Sequence, residues 1–442
     1  MPIDSHCIPH TRRDFLKASA VAAGLTILPR GLSAASANDK LQVASIGVGG
    51  MGAADLEQIS SHEKVEIVGL CDIDAKRLEA AHKLHPGAET FSDFRVMLAK
   101  LGDKIDAVHV STPDHTHAAA AMTAMNAGKH VYCQKPLTHD LFESRQMNLT
   151  SKAKGVMTQM GTQGHSGTEY RTAVATIRSG VLGKIREVHS WSHKTWGYTG
   201  ETPKPQPVPE HVSWNLWLGT APERRYSDGH YHPANWRRWV DFGCGTMGDM
   251  GIHILDPVMT ALDPGAATKI VSFSPDPPAD SFGVQNKVEY TFSSGSKQTA
   301  DGFKLTWYDG ASVPDITGWP VEKIPQQGSM FVGEKGFMLL PHVAKPILLP
   351  EKQFADFKLP EQPDDNHWHL WVDGCLGGEP TSANFGYAGP LTEILLLGVI
   401  ANRFPTQYLE WDTKGLAIPN FADANALVKR TYRDGFEVDG LS

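Results

Sequence analysis

Short apolar runs alternate with amphipathic segments over the first third of the chain. The runs "LQVASI", "VEIVGLCDID", "IDAVHV", "HVYC" and "VMTQMGTQ" are typical of buried strands, and predicted helices alternate with them. Strands that alternate with helices favour a parallel sheet with right-handed crossovers. The pattern therefore predicts an α/β fold that begins with a doubly wound parallel sheet over residues 38–160.

The pattern changes from about Gly161 onward. An amphipathic helix is predicted at "TEYRTAVATIRSGVLGKI", and the segment "REVHSWSHKTW" alternates like a half-exposed strand. The stretches "KVEYTFSSGS" and "KQTADGFKLTWYDG" are predicted to be antiparallel strands, and "GPLTEILLLGVIANRF" the last helix. Residues 161–442 are therefore interpreted as a second, substrate-binding α/β domain.

The N-terminal residues 1–37 are predicted to be a targeting segment. Arg12 and Arg13 precede a short apolar run, and small residues ("LSAASA") follow it. The stretch "TRRDFLK" resembles a twin-arginine export signal, which implies a periplasmic or otherwise exported protein. A disordered basic tail is the alternative.

Composition excludes several classes of protein. The 442 residues are 41% hydrophobic and 20% charged, as in an ordinary globular protein. The net charge of −8 and the absence of a basic run argue against nucleic acid as a partner. No apolar segment after the N-terminus is long enough to predict a membrane span.

A glycine-rich turn follows the first predicted strand and opens the next helix. In this context the pattern G-x-G-x-x-G indicates a dinucleotide site, because its glycines allow a tight turn and close approach of a pyrophosphate. The candidate residues of the turn are Gly47, Gly49, Gly50, Met51 and Gly52. Asp72 ends the second strand, where a carboxylate can bind both ribose hydroxyls, so NAD is favoured. Lys76 and Arg77 lie near enough in sequence to keep NADP as the alternative.

The segment "HVYCQKPLTHD" ends a predicted strand at Lys135 and turns at Pro136. Ligands of parallel α/β sheets bind beyond the carboxyl ends of the strands. We therefore expect this lysine on the nicotinamide side of the cofactor.

Four stretches together resemble the Gfo/Idh/MocA family of sugar and polyol oxidoreductases: "GVGGMG", "STPDHTH", "CQKPLTH" and "GCGTMGDMGIHILDP". The resemblance implies a Rossmann domain, a second domain with an open, mostly antiparallel sheet, and a homo-dimer or homo-tetramer. It also implies cofactor contacts at Thr112, Pro113 and His117. Lys135 matches the lysine of the family's E-K-P motif, but Gln134 replaces the glutamate.

The fourth stretch contains a candidate acid–base pair. Asp249 and His253 are four residues apart, so they share a face if the segment is a helix. The carboxylate can orient the imidazole, which can act as a general base, while Lys135 steadies the developing negative charge. Whether Lys135 or His253 takes the proton stays open, and a helix-surface pair without function is the alternative.

Six of the 11 tryptophans lie between residues 191 and 239. Most of them are expected in the core, because tryptophan buries a large apolar area. Aromatic faces also suit sugar rings. The candidate substrate contacts are Trp196, Trp236, Tyr231 and His165. Zinc at His230 and His232 is a less favoured alternative, since structural zinc sites show tighter motifs of four ligands, so no metal is predicted.

The predicted function is hydride transfer between NAD and a hydroxyl of a sugar, glycoside or polyol. No free NAD pool exists outside the cytoplasm, so an exported enzyme must retain and recycle its cofactor. One alternative is a redox-neutral, NAD-dependent glycosidase that oxidises a ring hydroxyl transiently and cleaves by elimination. An alternative of another class is a non-catalytic sugar-binding protein on the same fold.

Overall fold

A computed structural model describes residues 40–292 and 296–442. The predicted export signal at 1–37 lies outside the described residues. All features below belong to one compact unit, Lys40–Ser442.

The first sheet has six parallel strands in the order β3-β2-β1-β4-β5-β6. Its strands are β1 (Leu41–Ile46), β2 (Val65–Cys71), β3 (Glu89–Phe91), β4 (Ala107–Val110), β5 (His130–Gln134) and β6 (Thr158–Gly161). The connecting helices are α1 (Met51–Ser60), α2 (Ala75–Leu84), α3 (Phe94–Leu101), α4 (Asp114–Asn126) and α5 (Leu141–Lys154). The predicted doubly wound parallel sheet is confirmed.

Aspartates start three of these helices. Asp74, Asp93 and Asp140 each accept a hydrogen bond from a backbone N–H of the first turn of the following helix. Such caps satisfy donors that have no partner within the helix. Local sequence therefore sets where these three helices begin.

The second sheet has eight strands in the order β13-β12-β11-β7-β10-β9-β8-β14. Within the described part of this second sheet, β7 and β10 are the only neighbouring strands that run parallel. This confirms the prediction of a mostly antiparallel sheet. Its strands are β7 (Ile185–Ser192), β8 (Ala267–Ser272), β9 (Gln285–Phe292), β10 (Thr299–Gly310), β11 (Gln327–Gly333), β12 (Phe337–Pro341), β13 (Ile347–Leu349) and β14 (Leu409–Glu410).

The remaining helices follow β6, and the longest of them contacts strands of both sheets. They are α6 (Thr168–Arg178), α7 (Trp214–Leu218), α8 (Ile252–Leu262), α9 (His367–Cys375), α10 (Phe385–Ala401) and α11 (Ala422–Asn425). Helix α9 packs on α1, and α10 packs on α5. Since C-terminal helices return to the first sheet, the division into residues 38–160 and 161–442 stays a prediction.

The four most buried tryptophans of the Trp-rich stretch are Trp191, Trp217, Trp236 and Trp239. The expectation that most of the six belong to the core is thus confirmed. Across residues 40–292 and 296–442, no helix combines the length and apolar character needed to cross a membrane.

Candidate active site

A cavity of about 450 Å³ lies at the carboxyl ends of β1, β2, β4 and β5. Most of the predicted site residues line it: Gly47, Gly49, Gly50, Met51, Asp72, Thr112, Pro113, Lys135, Trp236, Asp249 and His253. The predicted cofactor side and the predicted catalytic side therefore share one cavity.

The glycine turn has a geometry that side chains would block. Gly47 has φ +79°, and a Cβ there would lie 2.4 Å from the carbonyl oxygen of Ser111. A Cβ on Gly52 would lie 2.1 Å from the carbonyl oxygen of Gly47. Gly52 does not line the cavity itself, and it instead lets α1 pack against the turn. The resulting cradle at the start of α1 fits a pyrophosphate, because free N–H groups and the helix dipole favour an anion.

Asp72 lies at the end of β2 on the cavity wall. Its carboxylate accepts hydrogen bonds of 2.9 Å from the backbone N–H groups of Val48 and Asp74. Burial nevertheless raises the pKa of Asp72 above its ordinary value. Arg77 also lines the cavity, pairs with Asp74 at 3.5 Å, and occupies the space beside Gly49.

Lys135 leaves the end of β5 and reaches residues of the second sheet's helices. Its Nζ donates to Asp249 Oδ1 at 2.9 Å and to the backbone oxygen of Asp249 at 3.0 Å. Both side chains are largely buried, with 12% and 7% exposed. These two hydrogen bonds hold the ammonium group in one position.

Asp249 is surrounded by further donors that the sequence did not reveal. Lys194 Nζ lies 2.6 Å from Oδ2, Arg237 Nε lies 3.5 Å from Oδ1, and Trp196 Nε1 donates to Oδ2 at 2.6 Å. Burial opposes ionisation of Asp249, but the ammonium groups of Lys135 and Lys194 and the guanidinium of Arg237 hold its pKa far below the ordinary value. The carboxylate is therefore a permanent anion that organises three cations.

Asp249 and His253 line the same cavity, and the carboxylate opposes the fall in the pKa of the imidazole. The segment Met247–Gly251 is a π-helix, and α8 begins only at Ile252, so the two residues do not have the regular α-helical spacing that the expected hydrogen-bonded pair assumed. No hydrogen bond joins them in the described part of the chain, and His253 Nδ1 lies 3.4 Å from Thr162 Oγ1 instead. Burial and the ammonium of Lys135 hold the pKa of His253 well below its ordinary value.

His165 and Tyr231 do not line the main cavity. His165 Nδ1 lies 2.8 Å from Asp256 Oδ1, and it lines a second cavity beside α6. Burial opposes its protonation, yet Asp256 raises the pKa of His165. Tyr231 packs in an aromatic cluster with Trp217 and Trp239. The long Pro-rich loop folds back on its own tryptophans, which explains why this tyrosine is in a core.

Trp196 and His117 support the cavity from behind. Trp196 contacts Asp249 and lies under the cations of Lys194 and Arg237, so it holds this cluster and does not line the cavity. His117 is buried, with ring nitrogens 2.8 Å from the carbonyl oxygens of Thr112 and Pro136. It ties two cavity loops together and does not itself line the cavity, and its contact with the cofactor stays a prediction.

Segments distant in sequence close the cavity. Trp217, His232 and Trp236 form one wall, and Phe436 from the C-terminal segment lies at another. His232 Nε2 lies 3.1 Å from Asp74 Oδ2 at the start of α2, which fastens this wall to the first sheet. Within the described ranges, no group of three or more His, Cys, Asp or Glu side chains is arranged to hold a metal ion.

Two family models match the chain. An oxidoreductase-family model for an NAD-binding Rossmann fold matches residues 41–162, and the C-terminal alpha/beta domain of the same family matches residues 167–310. Among curated relatives, an inositol 2-dehydrogenase from Corynebacterium glutamicum (strain R) is 31% identical over 147 residues, which cover 33% of this chain and 43% of that protein.

A second curated relative is a glycosyl hydrolase family 109 protein from Shewanella baltica (strain OS185). It is 29% identical over 203 residues, which cover 39% of this chain and 44% of that protein. The chain thus spans less than half of the length of either relative.

Among solved structures, the WlbA dehydrogenase from Bordetella pertussis in complex with NADH and UDP-GlcNAcA superposes with a TM-score of 0.60 at 16% identity. The match covers 84% of this chain and 99% of that one. This likeness concerns the fold.

Proposed function

The chain belongs to the Gfo/Idh/MocA family of NAD-binding oxidoreductases, and from this premise we propose that it oxidises or reduces a hydroxyl-bearing carbon of a sugar, glycoside or polyol. One observation carries the proposal. Lys135, which follows β5, and His253, which lies on α8, line the same cavity as the glycine turn. A substrate hydroxyl between them would meet a cationic donor and a neutral imidazole at once.

The residues divide the proton chemistry between them. His253 acts as the base, because its lowered pKa keeps the imidazole neutral and able to accept the hydroxyl proton. Lys135 donates a hydrogen bond to the same oxygen and steadies its negative charge, because the ion pair with Asp249 holds the lysine side chain in place. Bound NAD supplies the hydride acceptor, and the protein supplies position and electrostatics.

The site also supports a cofactor that stays bound. The wall fastened by His232 and Asp74, together with Phe436, encloses the cavity from segments outside the first sheet. Retention would suit export by the twin-arginine route, which the motif at Arg12 and Arg13 favours. The enzyme would then return its cofactor to the starting state within each catalytic cycle.

The test uses the purified full chain. Denaturation followed by ultraviolet and mass-spectrometric analysis should release NAD or NADH in near-stoichiometric amount. A panel of sugars, polyols and glycosides is then followed by nicotinamide absorbance and by product analysis. A protein that carries no nucleotide, and binds none when it is added, would contradict the proposal.

The redox-neutral glycosidase is the second candidate, and the similarity to the glycosyl hydrolase family 109 protein favours it. Product analysis separates the two. An oxidoreductase converts a hydroxyl to a carbonyl or the reverse, whereas a glycosidase releases a free sugar without net change in the nicotinamide. A non-catalytic sugar-binding protein, in contrast, would show no turnover. Its Lys135→Ala and His253→Ala variants would still bind the sugar.

A further inference from the structure

The side chain of Gln134, the residue before Lys135, donates one hydrogen bond and accepts another. Its Nε2 donates to Asp55 Oδ2 at 2.8 Å, and its Oε1 accepts from the backbone N–H of Lys135 at 3.1 Å. Gln134 is 4% exposed, so water does not replace these hydrogen-bond partners. Gln134 therefore links a carboxylate on α1 to the backbone that carries the lysine.

Asp55 is fully buried one turn into the helix that the glycine turn opens. Besides Gln134, it accepts from Trp368 Nε1 at 2.9 Å, and His109 Nε2 and Ser111 Oγ lie 3.3 Å from Oδ2. Its partners come from β4, β5 and α9. A buried carboxylate with this many donors is held as an acceptor at a fixed place.

The chemistry at position 134 requires a carboxamide. The carboxylate of Asp55 only accepts hydrogen bonds, and the backbone N–H of Lys135 only donates one. The side chain between them must donate at one end and accept at the other, as Gln134 does. A glutamate there would place a second carboxylate at a 2.8 Å contact, where two buried negative charges cannot both persist.

We propose that Gln134 and Asp55 form a positioning pair that fixes the backbone of Lys135, with the negative charge of the pair on α1 and the neutral partner on β5. The pair accounts for a carboxamide at position 134, because the carboxylate that faces it comes from α1. This inference rests on the proposed role of Lys135. It adds that the carboxylate and the carboxamide can be exchanged between positions 55 and 134 only if both residues are changed together.

The experiment is a double-variant cycle in the full chain: Gln134→Glu, Asp55→Asn, and both together. In the double variant the amide of position 55 donates to the new carboxylate, which also accepts the N–H of Lys135. Gln134→Glu should lose about tenfold or more in kcat, and more as the pH rises, because its two carboxylates must share one proton. The double variant should recover to within about threefold of the original protein and lose that added pH dependence.

Gln159→Glu is the matched control. Gln159 is buried on the neighbouring strand β6, and its Nε2 donates to the backbone oxygen of His367 at 2.7 Å. This variant should lower the melting temperature, and Asp55→Asn should not restore it. A general cost of burying a glutamate would affect both glutamate variants alike.

Two outcomes would overturn the positioning pair. One is a double variant no better than Gln134→Glu, and the other is a Gln134→Glu variant that matches the original protein at every pH. If the original protein turns over no sugar, the proposed function fails separately. The cycle is then measured as melting temperature and as affinity for NADH, where mutual rescue supports the pair and additive losses overturn it.

Discussion

Asp249→Asn removes a carboxylate that pairs with Lys135, Lys194 and Arg237 while it keeps the size of the side chain. The closest contacts are 2.6 Å to Lys194 and 2.9 Å to Lys135. Two unit charges near 4 Å interact with about 4 kcal/mol at an effective dielectric constant of 20. Lys194 is 41% exposed, so solvent screens its share, and the contact with Lys135 dominates.

Removal of one partner from a buried ion pair costs about 3–5 kcal/mol, because the remaining charge stays desolvated. We therefore expect the free energy of unfolding to fall by about 3 kcal/mol at neutral pH. The ammonium of Lys135 then lies beside Arg237 without its anion and loses its fixed position. Loss of one oriented donor at a reacting oxygen lowers kcat by about 10²–10³-fold.

The assay combines steady-state kinetics on the best substrate of the panel with chemical denaturation. Glu393→Gln is the matched control, since Glu393 is 8% exposed and pairs with Arg145 at 2.7 Å between α10 and α5, outside the main cavity. It should lose comparable stability and keep kcat. The reasoning is refuted if Asp249→Asn keeps kcat within about threefold, or if both variants lose kcat equally.

Three further predictions follow from the same geometry. Because the pKa of His253 lies well below its ordinary value of 6.5, the imidazole stays neutral in mild acid, so His253 should add no inflection to the profile of kcat/KM between about pH 8 and about pH 6. Burial raises the pKa of Asp114, in the same cavity, to about 7, so the profile is measured in Asp114→Asn, where an inflection near 6.5 would contradict this. Gly52→Ala places a Cβ 2.1 Å from a backbone oxygen of the turn and should yield protein without nucleotide, whereas Gly87→Ala, with open space around its Cβ, should retain it; nucleotide is measured after denaturation. Trp196→Phe loses the 2.6 Å hydrogen bond to Asp249 and should lower kcat about tenfold, since a hydrogen bond to a charged group is worth about 1.5–3 kcal/mol; an unchanged kcat would remove Trp196 from the site.

The parallel sheet and the cofactor side could be predicted because their signals are local. Strand and helix periods, the glycine turn and the capping aspartates act over a few residues. Lys135 was predictable as well, since a strand end determines where it points. The family resemblance, carried by short motifs, added the mostly antiparallel second sheet.

The environment of Asp249 could not be predicted in the same way. Lys194 and Arg237 reach it from the end of β7 and from a long loop, whose path no periodicity specifies. The π-helix at Met247–Gly251 interrupts the regular α-helical spacing, and a separation of four residues did not predict that His253 lies beside Thr162. The partnership of Gln134 with Asp55 spans 79 positions and leaves no local pattern.

A single-turnover experiment tests the shared action of Lys135 and His253 most directly. The purified protein with its bound nucleotide is mixed with excess substrate, and the absorbance of reduced nicotinamide is recorded without added cofactor. The account predicts rapid reduction in the original protein and a loss of at least about 10²-fold in both Lys135→Met and His253→Ala, with nucleotide content unchanged. Equal reduction rates in all three proteins would contradict it.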